Sequence, residues 1–248
     1  MTITPIAFAH NGYKQKFGIP RQSGRAASVL TRIVFAPEYR IAEALRGIEQ
    51  WSHLWLIWGF SENIPTANTH TESTNQSNNE QPLFGGYSPT VRPPRLGGNT
   101  RIGVFATRSP FRPNGLGLSS VKIEKIEKTA NEGTVIVVSG ADLMDGTPIY
   151  DIKPYLPYTD IHEDATSGFA EHNTNYQLQV VWTKGTKKGL SSTLIQQLTE
   201  ILREDPRPAY KTDCEQEYGL TFNGYNVWFT VNDKILEIIR IKNTDIIS

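Results

Sequence analysis

Leu118-Ser119-Ser120-Val121-Lys122-Ile123-Glu124-Lys125 sets Leu118, Val121 and Ile123 off with polar residues in a mostly alternating pattern, which Ile126 continues. A side-chain period of two belongs to a strand with one covered face. Further strand candidates lie on both sides of it. Ile3–His10 is apolar and ends near the turn signal Asn11-Gly12, and Arg101–Thr107 and the β-branched Gly133–Ser139 read the same way. Trp51–Phe60 (WSHLWLIWGF) is almost wholly apolar and aromatic, as expected of a strand buried on both faces. One helix is expected among them, over Ala36–Gln50, where Ile41, Ala44, Leu45 and Ile48 fall at helical spacing behind Pro37. Many short strands with turn punctuation and one helix predict a mainly β fold, a closed or nearly closed β-barrel.

Thr66–Gln81 (TANTHTESTNQSNNEQ) interrupts this region with a polar, Asn- and Thr-rich run lacking apolar periodicity, expected to be a mobile loop in which His70 is merely solvated. The turn-rich stretch Tyr155–Glu171 marks a boundary, giving one domain over 1–158 and a second over 159–248. The second reads as strand Tyr176–Trp182, helix Ser191–Arg203, then strands Tyr218–Phe222, Tyr225–Val231 and Ile235–Ile241, a small α+β unit with a hairpin turn at Asn223-Gly224.

The chain of 248 residues carries 25 Lys+Arg and 25 Asp+Glu, and this zero balance advertises no nucleic-acid partner. Its distribution says more. Residues 1–60 carry +4, 61–81 carry −3, 82–128 carry +6, 129–156 carry −3 and 157–248 carry −4. A basic front half fits an anionic partner on one face, and an ordinary solvated surface fits the charges equally well. No apolar run approaches the roughly 18 residues of a membrane helix, and no basic-apolar-small leader pattern opens the chain. With a lone cysteine, Cys214, in a polar stretch between acids, a reducing cytoplasm is expected and the thiol is read as a bystander. Five scattered His residues show no metal-ligand spacing, so no metal is expected. Gly115-Leu116-Gly117 lacks the third glycine and the following helix of a dinucleotide fingerprint.

Four loops concentrate chemistry. Pro20-Arg21-Gln22, Thr90-Val91-Arg92-Pro93-Pro94-Arg95-Leu96-Gly97-Gly98-Asn99 and Thr107-Arg108-Ser109-Pro110-Phe111-Arg112-Pro113-Asn114 combine guanidinium groups with proline and glycine. Proline fixes the backbone, glycine lets it approach a ligand, and arginine offers a planar fork for carboxylate or phosphate. Rigid, solvent-facing turns are the competing explanation. In Ala141-Asp142-Leu143-Met144-Asp145-Gly146-Thr147-Pro148 carboxylates meet a turn, which fits ligand binding and a local Asp-Gly turn alike.

These runs, PRQ (20–22), WSHLW (51–55), TVRPPRLGGN (90–99), VFATRSPFRPN (104–114), ADLMDGTP (141–148) and DIKPYLPY (151–158), with Asp205-Pro206-Arg207-Pro208-Ala209-Tyr210 in the tail, resemble the TsaA-like family, most closely its bacterial tRNA (adenine(37)-N6)-methyltransferases. The resemblance spans essentially the whole chain apart from 66–81. It implies a β-barrel that binds S-adenosylmethionine outside the Rossmann-like fold, usually in a homodimer, and that methylates N6 of threonylcarbamoyladenosine beside the anticodon of tRNA, mainly threonine-accepting tRNA. Carried over by position, its cofactor contacts fall on Pro20, Arg21, Gln22, Ser61, Glu62, Arg108, Leu118, Leu143, Met144, Asp145 and Gly146. Ser61-Glu62 stands where the family places a His-Gln pair, which points to backbone contacts there. The acceptor nitrogen is carbamoylated and a poor nucleophile, so a cation favouring its deprotonated form would help. Arg92, Arg95 and Arg112 are the catalytic candidates for that and for the threonyl carboxylate; the sequence names no general base. Tyr87, Phe111 and Tyr210 are candidates to stack on an anticodon-loop base, with loop packing the commoner role of such residues. His53 is expected to be a hydrogen-bonded core residue. A non-catalytic module binding S-adenosylmethionine or RNA is the alternative from another class.

Overall fold

The computed structural model describes residues 2–60, 88–93, 96, 99–173, 176–207 and 216–244. Six strands, β1 (Ala7–His10), β2 (Leu30–Phe35), β3 (His53–Gly59), β6 (Leu116–Thr129), β7 (Gly133–Ser139) and β8 (Pro148–Pro154), pair in the order β1-β2-β7-β6-β3-β8. β8 pairs antiparallel with β1 through Ala7↔Ile149, so the order returns on itself as a closed barrel. Closure removes the free strand edges that an open sheet must protect. A small ladder of β4 (Thr90–Val91) and β5 (Ile102–Gly103) stands apart from it.

Alternation decides which side chains fill the interior. On β3, Leu54, Leu56 and Trp58 are buried while His53, Trp55 and Ile57 are half-buried. The expectation of a strand buried on both faces thus gives way to one inner and one partly covered outer face. The cover on the outer face is the segment after β8: Trp55 Nε1 donates to Asp160 Oδ2 at 2.7 Å and its ring meets Tyr155. Asp160 lies in α1 (Pro157–Asp160), a single turn whose carboxylate also accepts from the Leu156 amide. His53 is hydrogen-bonded as expected, with its Nδ1 2.9 Å from Ser52 Oγ, but on this outer face and not in the core.

Ala36–Gln50 is not one helix. Three short 3-10 turns, Pro37–Tyr39, Ala42–Leu45 and Ile48–Gln50, replace it. Arg40 leaves helical geometry between the first two and donates to the carbonyls of Phe35 and Asn131, while Gly47 adopts φ 89° before the third. The spaced apolar residues therefore do not form one stripe; Leu45 and Ile48 pack against the barrel core and Ile41 is exposed. The strand expected over Arg101–Thr107 shrinks to β5, because the chain turns into a 3-10 segment at Val104–Ala106.

The second half forms a four-stranded sheet in the order β10-β11-β12-β9, from β9 (Gln179–Trp182), β10 (Tyr218–Phe222), β11 (Tyr225–Asn232) and β12 (Ile235–Asn243). The β10–β11 turn places Asn223 at φ 48° and Gly224 at φ 77°, the paired left-handed geometry that an Asn-Gly hairpin supplies. Helix α2 (Ser192–Arg203) starts where Ser191 Oγ accepts from the Leu194 amide, and buries Leu194, Leu198, Ile201 and Leu202. Each such side chain contributes about 1.5–3 kcal/mol relative to exposure.

This second core also holds Tyr13, Ala26 and Val29, from the long connection between β1 and β2. The Tyr13 ring lies 5.2 Å from that of Phe222. Residues 11–29 thus leave the barrel, contribute to the other core and return. The loop that carries Pro20-Arg21-Gln22 is anchored in this way between the two halves.

Candidate active site

The excursion returns to the barrel at Gly24, whose amide donates to the Gly140 carbonyl at 2.8 Å. A Cβ at Gly140 would stand 3.0 Å from the Gly24 Cα, so glycine is what allows the two backbones this close. Gly140 stands between the end of β7 at Ser139 and the run Ala141–Pro148. Pro20-Arg21-Gln22 is therefore held next to the Asp142–Gly146 turn, although about 120 positions separate them in sequence.

Arg108 reaches the same place from a third loop, donating from Nη1 to Gln22 Oε1 at 2.6 Å. Its positive charge also acts on Asp142. The Asp142 carboxylate is largely buried and accepts from Ser119 Oγ, which itself accepts from Trp58 Nε1 at 2.9 Å. Burial raises the Asp142 carboxyl above the ordinary aspartate range, with the Ser119 bond and the Arg108 charge pulling partly back. Trp58, on β3, faces Gly117 on β6, and a Cβ at Gly117 would fall 2.3 Å from the Trp58 ring. Gly117, unremarkable as part of a failed dinucleotide pattern, is there because the indole lies across it.

Asp145 behaves differently. It accepts from the Asn11 amide at 3.0 Å and from Lys14 Nζ at 2.5 Å, with His10 Nδ1 at 3.5 Å. Burial works to raise its carboxyl, but the Lys14 and Asn11 hydrogen bonds outweigh it, and it ionises below the usual range. Gly146, at φ 80°, closes the turn by donating to the Ala9 carbonyl. The turn thus carries one carboxyl raised above the ordinary aspartate range, Asp142, and one lowered below it, Asp145.

Two models, the tRNA-methyltransferase O N-terminal domain over residues 8–161 and the TrmO C-terminal domain over 175–244, match the chain. This chain belongs to the TrmO family. It is 37% identical over 246 residues to the tRNA (adenine(37)-N6)-methyltransferase of Escherichia coli, covering 96% of each chain. It is 33% identical to RcsF of Pseudomonas aeruginosa, named as a putative S-adenosylmethionine-dependent methyltransferase, covering 98% of this chain and 99% of the other. The crystal structure of TrmO from Pseudomonas aeruginosa superposes with a TM-score of 0.72 at 27% identity, covering 98% of this chain and 99% of that one.

Of the residues read from the sequence, Gln22 and Arg108 meet directly, Pro20 and Arg21 lie on the same loop as Gln22, and the Gly24–Gly140 bond ties that loop to the start of the run carrying Met144, Asp145 and Gly146. Arg21 there donates from Nη2 to the Arg207 carbonyl at 2.8 Å, tying the loop to the tail run Asp205–Arg207, in which Arg207 Nε donates to Asp205 Oδ1. Leu143 is fully buried in the barrel core, backbone included, and its carbonyl accepts from Asn11 Nδ2, so it shapes the turn from inside and offers no exposed surface to a ligand. Leu118 precedes inward-facing Ser119 on β6 and lies on the opposite face, more than half exposed.

The expectation that Arg112 offers its guanidinium to a substrate anion meets a different geometry. Nε donates to the Ser109 carbonyl and Nη2 to those of Val104 and Thr107, so the side chain staples its own loop. Arg92 is exposed with no partner among the described residues. Phe105 and Phe111 project from the stapled loop, 75% and 61% exposed. Ser61, Glu62, Arg95, Tyr87, Tyr210, His70, Cys214 and the 66–81 loop lie outside the described residues. Among those described, no group of three or more His, Cys, Asp or Glu side chains is placed to hold a metal ion, and no helix is long and apolar enough to cross a membrane.

The sequence reading missed Trp58, Ser119 and Asp142. Asp142 sat in a quoted run, but nothing in the sequence showed that a serine 23 positions away would hold it.

Proposed function

We infer that this chain is an S-adenosylmethionine-dependent tRNA (adenine(37)-N6)-methyltransferase, acting on threonylcarbamoyladenosine at position 37, mainly in threonine-accepting tRNA, and yielding its N6-methyl derivative. The observation that carries this reading is the convergence of Pro20–Gln22, Arg108 and the 142–146 turn at one end of the barrel. Membership of the TrmO family, through models spanning both halves, gives that convergence its chemistry.

The donor set fits S-adenosylmethionine. Arg108, held by Gln22, suits the cofactor's carboxylate, and ionised Asp145 suits its ammonium or ribose hydroxyls. Met144 and the backbone of Gly146 would cover its apolar parts on a turn supported from beneath by buried Leu143, with Leu118 and Ser61-Glu62 contributing at the edge. The bound cofactor supplies an electrophilic methyl group; the protein's work is alignment.

The acceptor must lie beside that methyl with its carboxylate anchored. Arg92 is the guanidinium left open for the threonyl carboxylate, and Arg95 belongs to the same run. Arg112 acts one step back, by fixing the loop that presents Arg108 and Phe111. A guanidinium near the carbamoylated nitrogen favours its deprotonated form without a dedicated base. In this reading the barrel domain of 1–158 binds cofactor and the anticodon loop, the 159–248 domain completes a homodimeric cytoplasmic enzyme, and no metal takes part.

The test is tRNA nucleoside mass spectrometry. Incubating the purified chain with S-adenosylmethionine and tRNA carrying threonylcarbamoyladenosine should convert that nucleoside to its methylated form. Cofactor binding with no conversion would instead support a non-catalytic sensor and sink the enzyme reading.

A further inference from the structure

We propose that the loop Lys184–Lys188, with the adjoining end of β12, is a second contact surface for the phosphate backbone of tRNA, built on the four-stranded sheet and not on the Arg-rich loops. The proposal rests on tRNA being the substrate.

Residues 157–248 carry −4 overall, yet Lys184, Lys187 and Lys188 fall within five positions of one another. All three are exposed. The loop that holds them is shaped and not slack. Gly185 and Gly189 take φ 92° and 79°, and successive turns close through Thr186 N to Thr183 O, Lys188 N to Gly185 O and Leu190 N to Lys187 O. Thr186 Oγ1 adds a bond to the Thr183 carbonyl at 2.7 Å. The ammonium groups are thus carried on a preformed frame, which lowers the ordering cost of binding.

Strand pairing explains why space opens beside this loop. β9 accompanies β12 only as far as Trp182↔Ile238, whereas β12 runs on to Asn243. The chain peels away after Thr183, whose amide still donates to the Ile238 carbonyl, and an open cleft of about 590 Å³ is lined by Lys184, Lys188, Arg240 and Tyr225. Leu190 and Ile241, also in the lining, are half-buried against the sheet's own core and offer no protruding anchor of the sort that protein interfaces use.

The charges are left unbalanced. Among the described residues, neither Lys184 nor Lys188 forms a salt bridge. Lys187 lies over the Trp182 ring at 5.4 Å. Arg240 bonds to Glu217 at 2.8 Å and stacks on Trp228 at 4.3 Å, and Glu237 accepts from Thr183 Oγ1. Two carboxylates therefore face four cations, with exposed Lys242 on the same strand. Mobile ammonium groups on a fixed loop suit phosphates along a backbone, whose binding is driven by counterion release.

The experiment compares the full chain with K184Q/K188Q, K184E/K188E and K184R/K188R. Affinity for tRNA is measured between about 50 and about 200 mM salt. Gln at both positions should weaken binding roughly tenfold at the lower salt and make the log–log salt slope shallower by about 1 per lysine. Glu should weaken it further, Arg should keep it, and S-adenosylmethionine affinity and melting temperature should stay unchanged. If the parent binds and methylates tRNA while the Gln and Glu variants match its affinity and slope, this surface is wrong and the substrate reading stands. A parent that does not bind tRNA overturns both.

Discussion

Arg108 donates to Gln22 at 2.6 Å, joining two loops 86 positions apart. Gln22 is kept in reach because its loop is pinned at Gly24–Gly140 on one side and by the packing of Tyr13 and Val29 in the second core on the other. The bond orients a guanidinium that is otherwise exposed.

The first prediction concerns that bond. Arg108→Ala should weaken S-adenosylmethionine binding by about 10- to 100-fold, in keeping with the ~1.5–3 kcal/mol typical of hydrogen bonds to charged groups. Arg108→Lys should restore little, since an ammonium cannot reproduce the fork. Gln22→Ala should have a smaller effect of the same sign. Calorimetric titration of the cofactor checks all three; equal affinity in Arg108→Ala would remove Arg108 from the cofactor site.

Trp58, Ser119 and Asp142 act as a unit. Ser119→Ala strips the indole donor and the buried carboxyl of their shared partner and should cost about 1–3 kcal/mol in urea unfolding. Gly117→Ala should cost a similar ~1–3 kcal/mol by overpacking, because the new methyl meets the Trp58 ring. Tryptophan emission should shift in both variants. An unshifted spectrum and unchanged midpoint would contradict the arrangement.

The two aspartates of one turn should give opposite pH signatures. Asp145 ionises below its ordinary value, so its stabilisation is present above the unfolded aspartate pKa and is lost as pH falls through the folded one. Asp145→Asn should destabilise at pH 7 and flatten the acid loss. Asp142 holds its proton more tightly when folded, so stability gains as pH falls through its raised pKa and declines again as pH rises. Asp142→Asn should leave stability at pH 7 unchanged or higher and remove that gain. Unfolding free energies followed from pH 7 to about pH 2, well below the unfolded aspartate value of about 3.9, discriminate the two; same-sign slopes would refute the assignment.

Arg112→Ala should loosen a loop and spare the core. Three backbone carbonyls lose their donor, so amide exchange across 104–115 should accelerate while β7 and α2 keep their protection. Methyl transfer should fall with the loop, because Arg108 and Phe111 are carried on it. A normal exchange pattern combined with lost activity would instead place Arg112 at the substrate.

Alternation identified β6 and a β-branched run β7, the strands read in the tail match β10, β11 and β12 within a few residues, Asn223-Gly224 marked its hairpin, and Ser191 marked the start of α2. Those signals are local: an alternating face, a left-handed pair, a hydroxyl cap. Where local patterns conflicted with the demands of the whole, they misled. The helical spacing of Ala36–Gln50 became three turns, because Arg40 bonds to carbonyls in two other segments and Gly47 reverses the chain.

The sequence by itself determined that this protein is mainly β, that its second half is a small α+β unit, and that Arg, Pro and Gly are concentrated in loops resembling one family. Only the tertiary structure decided what each loop residue does. It made Arg112 a staple, placed Leu143 in the core, set Trp58 across Gly117, and brought Gln22 to Arg108 and Ser119 to Asp142. Composition and spacing report the backbone conformation a segment prefers, which short-range sterics and burial control. The partner of a long polar side chain depends on which strands close the ring and where a loop is anchored, and these are contacts between residues far apart in the chain.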